Sequence, residues 1–158
     1  MSVTEREYAP ELIAFQRESN RIEGIIGVSG RQIEALGELL AAKRMETSVL
    51  ASYVSVVQPD AKLRFHPSVP SVRVGNHIAP PSGPKLMRDL DILLEYANKY
   101  ANEATVYEVH CRYETLHPFT DGNGRSGRAL WLWMRRGVAP LGFLHQFYYD
   151  ALSAYRVK

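Results

Sequence analysis

The sequence predicts a mainly α fold, a helical bundle that carries one small β-hairpin. Three observations predict it. Apolar residues recur at helical spacing along most of the chain, with proline and glycine marking where each run starts and stops. The stretch from Lys62 to Gly83 lacks that period, is rich in proline and holds Gly75-Asn76 between two short strand-like pieces. A glycine-rich loop, Asp121-Gly122-Asn123-Gly124, feeds directly into the apolar run Ala129 to Met134.

In chain order, Leu12, Phe15, Ser19, Ile22 and Ile26 follow a helical period, which predicts a helix from about Pro10 to Glu23 ended by Gly24. A second helix carries Ile33, Leu36, Leu39 and Leu40 and ends near Arg44. Thr47 is placed to cap a third, with Leu50, Tyr53, Val54 and Val57 inward and Pro59-Asp60 as its stop. Val72-Arg73-Val74 and His77-Ile78-Ala79 flank the two-residue loop, giving a hairpin over about 71–80. Pro80 to Pro84 leads into a helix with Leu86, Leu90, Leu93, Leu94 and Ala97 on one side, running to about Tyr100. From about Asn102 to Thr115, Val106, Val109, His110, Tyr113 and Leu116 mark another helix. Pro118 stops it by disfavouring helical geometry at His117. The helix through Ala129-Leu130-Trp131-Leu132-Trp133-Met134 is apolar all round and is expected to be buried, both tryptophans included. An aromatic segment, Leu144 to Tyr155, is expected to form a last helix that closes the core.

A chain of 158 residues that is 46% hydrophobic suits one domain, 1–158, with a real core. The net charge of +2 is small and its basic residues are scattered, so neither nucleic acid nor a membrane surface is expected as partner. Cys111 stands alone, which excludes an internal disulfide; it is expected in the core and fits a reducing compartment. Met1 to Pro10 has no apolar signal region and no stretch approaches membrane-spanning length, so a cytoplasmic location is expected. His66, His77, His110 and His145 lack metal-ligand spacing and are read as structural or surface residues.

The chemistry concentrates in His117-Pro118-Phe119-Thr120-Asp121-Gly122-Asn123-Gly124-Arg125-Ser126-Gly127-Arg128. Alternating glycines let successive backbone N–H groups point into one concavity, and the helix start behind them adds positive dipole character. That combination suits phosphate. Arg125 and Arg128, three apart, are expected to share a helix face and grip further phosphate oxygens.

This stretch resembles the signature of the Fic family, His-Pro-Phe-x-Asp/Glu-Gly-Asn-Gly-Arg-x-x-Arg, and matches it at every defined position. The hairpin over 71–80 resembles the family's flap, which pairs with an extended segment of a target protein. Upstream, Ser19-Asn20-Arg21-Ile22-Glu23-Gly24 resembles the family's inhibitory pattern Ser/Thr-x-x-x-Glu-Gly/Asn, as in the subgroup whose inhibitory helix precedes the core in the same chain.

The resemblance implies a Fic-type helical bundle that transfers AMP from ATP to a Ser, Thr or Tyr hydroxyl of a target protein, with Mg²⁺ on the phosphates. His117 is the implied base, a suitable one because its reference pKa is about 6.5. Asp121 is the implied metal ligand, offering a hard oxygen. Gly122, Asn123, Gly124, Arg125 and Arg128 are implied to hold the nucleotide. Ser19, Glu23 and Gly24 form the implied inhibitory element, with Glu23 placed to occupy Arg128 in competition with the γ-phosphate. Val72, Arg73, Val74, His77 and Ile78 form the implied target-docking flap. Phosphoryl transfer, as in the related Doc toxins, calls for a lysine at the position of Gly124. Transfer of another nucleotide, removal of AMP from a modified protein, and an idle nucleotide-binding interaction module stay open. The oligomeric state leaves no signal, and a homo-oligomer stays open too.

Overall fold

The computed structural model describes residues 10–136. Helix α1, Pro10–Ile22, ends in a pair of bonds around a left-handed glycine. The Ile25 amide donates to Asn20 O at 3.0 Å, the Gly24 amide donates to Arg21 O at 2.9 Å, and Gly24 takes φ 78°. Glu23, expected inside the helix, is instead the residue just past it. Helix α2, Gly30–Ala41, opens with a reciprocal capping box between Ser29 and Gln32 and stops short of Arg44.

Helix α3 is Thr47–Val57, and its cap differs from expectation. Glu46 holds the cap position without a side-chain bond, while the Thr47 hydroxyl donates to Asp91 at 3.2 Å, which makes it a tie between helices. Strands β1, Arg73–Val74, and β2, His77–Ile78, pair antiparallel with Arg73 opposite Ile78 and Val74 opposite His77. Helix α4, Pro84–Lys99, has its proline in the first turn, where the missing N–H has no cost. Helix α5, Glu103–Leu116, is capped by Asn102 and Thr105. Helix α6 is Asn123–Met134. The expected helix over Leu144 to Tyr155 lies outside the described residues.

The six helices among the described residues surround one hydrophobic cluster, and α6 runs through it in contact with α1, α2, α3 and α5. Ala129, Leu130, Trp131, Leu132 and Met134 are buried, as is Cys111. Trp133 departs from expectation, being only partly buried because its ring N–H reaches out to Ala42 O at 2.8 Å. One pairing carries no sequence signal. Lys62 to Arg64 runs antiparallel to Pro118–Thr120, with Arg64 N donating to Pro118 O and Thr120 N donating to Lys62 O, both at 2.9 Å. That extended segment braces the signature loop from outside.

Candidate active site

His117 sits where α5 ends, in left-handed geometry at φ 50°. Pro118 bars the helical alternative, so the turn is built by the sequence itself. The ring's Nδ1 lies 2.8 Å from Glu114 O. A carbonyl only accepts, so Nδ1 carries the proton, and in the neutral ring the lone pair falls on Nε2. A histidine oriented in this way is prepared to act as a base.

The loop behind it is pinned by Asn123, whose side chain closes a two-way clamp on one backbone residue. Oδ1 accepts from Phe119 N at 2.9 Å and Nδ2 donates to Phe119 O at 2.8 Å. Asn123 is thus the fastener of the loop, and it also lines the cavity, where direct nucleotide contact was expected of its side chain. At the start of α6, Gly122 brings no side chain to cap the helix. The first amides of α6 therefore have no acceptor within the helix, which is the geometry of an anion site. Asp121 Oδ1 accepts from Gly122 N at 2.8 Å and holds the carboxylate at the edge of the loop.

The two arginines do not converge as their spacing suggested. Arg125 is buried and turns toward the end of α3, donating through Nη1 to Val57 O at 2.6 Å and through Nη2 to Gln58 Oε1 at 2.5 Å. The unpaired C-terminal carbonyls of α3 draw it there. Its Nε is buried with no hydrogen-bond partner among the described residues. Arg128 turns the other way, toward α1. Its Nε donates to Ser19 Oγ at 2.8 Å, and its Nη2 donates to Ser19 O at 3.0 Å and Glu23 Oε1 at 2.7 Å.

The Glu23 carboxylate also lies against Gly124, where a Cβ would collide with Oε1. It therefore sits over the start of α6, in the cradle itself. Gly24 has open space where a Cβ would stand and contributes the left-handed turn next to Glu23. A cavity of about 540 Å³ lies over these groups, lined by His117, Asp121, Gly122, Asn123, Gly124, Arg125 and Arg128. Ile22, Glu23 and Ile25 also line it, as do Val72, Arg73 and Val74. The second flap strand does not join them. His77 donates from Nε2 to Thr115 O at 2.9 Å, and Ile78 is 69% exposed.

Residues 25–134 match the model of the Fic/DOC family. The chain belongs to the Fic/DOC family. Its relatives include proteins named "Protein adenylyltransferase Fic". That of Aedes aegypti is 34% identical over 96 residues, covering 52% of this chain and 18% of the relative. That of Drosophila erecta is 29% identical over 147 residues, covering 76% of this chain and 29% of the relative. That of Culex quinquefasciatus is 37% identical over 96 residues, with shares of 52% and 18%. The chain thus spans less than a third of the length of these curated relatives. Among the described residues no helix is long and apolar enough to cross a membrane.

Two site residues of this Fic/DOC chain had no sequence signal. Gln58 supports Arg125, and Arg64 is buried behind His117. Arg64 Nε donates to His117 O at 2.7 Å, Nη2 to Leu116 O at 2.9 Å, and Nη1 to Pro80 O at 2.8 Å and Ser82 Oγ at 3.2 Å. Desolvation draws its pKa below the usual arginine value, yet a guanidinium stays charged throughout the ordinary pH range. Only the periodicity-free stretch around it hinted that this residue was not on a helix face.

Proposed function

We propose that the protein is an adenylyltransferase that moves AMP from ATP onto a Ser, Thr or Tyr hydroxyl of a target protein and is held inactive by Glu23. The observation that carries this is the placement of an oriented base beside an anion cradle, with a glutamate already filling the cradle.

In the proposed reaction the hydroxyl oxygen attacks the α-phosphorus and His117 Nε2 takes its proton. The bond from the α-phosphorus to the bridging oxygen breaks and pyrophosphate leaves. The amides at the start of α6 would receive the negative charge that grows on the α-phosphate. Arg128 would hold a distal phosphate once Glu23 withdraws, and Arg125, whose fork supports α3, would add its positive charge at the cavity wall. Mg²⁺ fits this donor set only as an ion shared with the substrate. Among the described residues no group of His, Cys, Asp and Glu could hold a metal by itself, and Asp121 offers one carboxylate at the cavity edge. Bound there with the phosphates, it would neutralise their charge. Strand β1 supports docking of a target segment, since Val72, Arg73 and Val74 line the cavity and a two-stranded sheet leaves an outer edge unpaired.

The test uses ATP labelled on the α- or the γ-phosphate, with the Glu23→Gly protein and its His117→Ala derivative. Protein-bound label is expected from the α-position only, at least tenfold above the parent, and lost without His117. Label from the γ-position, or label that survives His117→Ala, overturns the reading. Release of AMP from a pre-modified target by the parent, and not by Glu23→Gly, would instead mark removal as the activity.

A further inference from the structure

The last carbonyls of α5 are each taken by a side chain, from the base itself, from the flap, or from the extended segment that precedes the flap. Glu114 O accepts from His117 Nδ1 itself. Thr115 O accepts from His77 of β2, while Leu116 O and His117 O accept from Arg64. The third arm of Arg64 reaches Pro80 O and Ser82 Oγ, where the chain leaves the flap. Its own backbone ties in as well, with Arg64 N donating to Pro118 O at 2.9 Å and Gly83 N donating to Arg64 O at 3.0 Å. Arg64 is 0% exposed and, among the described residues, has no carboxylate partner within ion-pair distance. Burying a cation against neutral acceptors alone is costly, and an apolar residue would fill the space more cheaply. What the guanidinium adds is a rigid fork matched to the negative end of the α5 dipole.

We propose that Arg64 is the positioning residue of the His117 base, clasping the end of α5 to the root of the flap with His77 as a second strap. This rests on the reading of His117 as the base. The left-handed turn at His117 sets both the ring's direction and the Nδ1 contact to Glu114 O, and Arg64 holds the carbonyls on either side of that turn's entry. Lysine would keep the charge and lose the fork, so it separates position from charge.

The test is made in the Glu23→Gly protein with Arg64→Lys and His77→Phe. Two readouts are followed: kcat and KM for ATP, and the nitrogen-correlated imidazole spectrum of His117. In Arg64→Lys, kcat is expected to fall roughly 100-fold, the order of loss that follows small misplacement of a reacting group. KM for ATP is expected to stay within about twofold, because Arg64 touches none of the cradle on α6. The spectrum is expected to change from the single Nδ1-protonated form to a mixture of tautomers. His77→Phe is expected to move kcat and spectrum in the same direction by a smaller amount. A folded Arg64→Lys protein that keeps either its kcat or its tautomer overturns the proposal. If Arg64→Lys does not fold, His77→Phe, changed on an exposed strand, decides by the same two readouts. If the Glu23→Gly parent transfers no α-label at all, the adenylyltransferase reading falls, while the spectrum still decides the role of Arg64.

Discussion

Asn123 shows that a signature residue can carry structural work beside the nucleotide contact its position suggests. Its amide satisfies both backbone groups of Phe119, a residue that is itself buried. Asn123→Ala would leave a buried N–H and a buried carbonyl unpaired, at a cost of roughly 2 to 4 kcal/mol. An unfolding free energy from urea titration lowered by that amount, and so a lower midpoint, with transferase activity down at least tenfold in the Glu23→Gly background, is the expected result. An unchanged midpoint would mean that water replaces the clamp without loss. Gly124 has the opposite logic, because any side chain there enters the space of Glu23 Oε1 and crowds Arg128 Nη1 at 3.1 Å. The parts of the site that were legible in the sequence, His117, Asp121, Gly124 and Arg128, are carried by one loop and the helix it opens, while the reach of Glu23 to Arg128 across 105 residues was expected only from the resemblance of its own short pattern. Arg64 was not legible, since it meets His117 across 53 residues of chain and a lone arginine in a proline-rich stretch looks like surface charge. The divergence of Arg125 from Arg128 was equally hidden, because the carbonyls that attract it belong to α3.

Helix α1 is held to the bundle by a seam that is mostly polar. Phe15 is its buried apolar residue, lying parallel to Trp131 with centroids 6.5 Å apart. Around it Tyr53 donates to Gln16 at 2.7 Å, Gln16 to Asn20 at 3.0 Å, and Asn20 to Gln32 at 2.9 Å and to Gly27 O at 3.0 Å. Hydrogen bonds exchanged with water give little net attraction, so the aromatic contact carries much of the docking. Glu23 adds a further tension, for a carboxylate at a helix C-terminus opposes the dipole and is stabilised there by Arg128. Phe15→Ala, with Glu23 intact, is therefore expected to raise α-label transfer at least tenfold, toward the Glu23→Gly level. The double variant should gain nothing more, since both changes empty the same cradle. Additive gains in the double variant would show that Phe15 acts elsewhere. The helices themselves were legible because their apolar period is long and their caps are local. The cap of α3 and the end of α1 were misjudged by a residue, since Thr47 finds Asp91 on another helix and Gly24 closes its turn through Arg21.

Across the whole molecule, two buried phenols tie helices together, one joining α3 to α1 and the other α5 to α6. Tyr53 on α3 bonds Gln16 of α1, and Tyr113 on α5 shares a hydrogen bond of 2.7 Å with Ser126 of α6. Burial pushes the Tyr53 hydroxyl up to about 12, against the opposing pull of its bond to Gln16 and of Arg128 and Arg125. Burial likewise raises Tyr113, against its bond to Ser126. A phenol whose folded pKa lies above its unfolded value of about 10 contributes stability that is complete below pH 10. Above that pH the unfolded chain loses the proton first, so stability falls as pH rises through the folded value. Each tyrosine should then cost about 1.4 kcal/mol per pH unit between roughly pH 10 and 12. Urea unfolding at pH 9, 10 and 11 measures this slope. Tyr53→Phe lowers stability at every pH by breaking the bond to Gln16, but it should also remove its own share of the alkaline slope. Tyr113→Phe should remove a like share, and the double variant should keep only the slope of the surface groups common to all. Equal slopes in the four proteins would mean that the phenols reach water before the bundle opens, and that α6 loosens locally while the rest of the core holds.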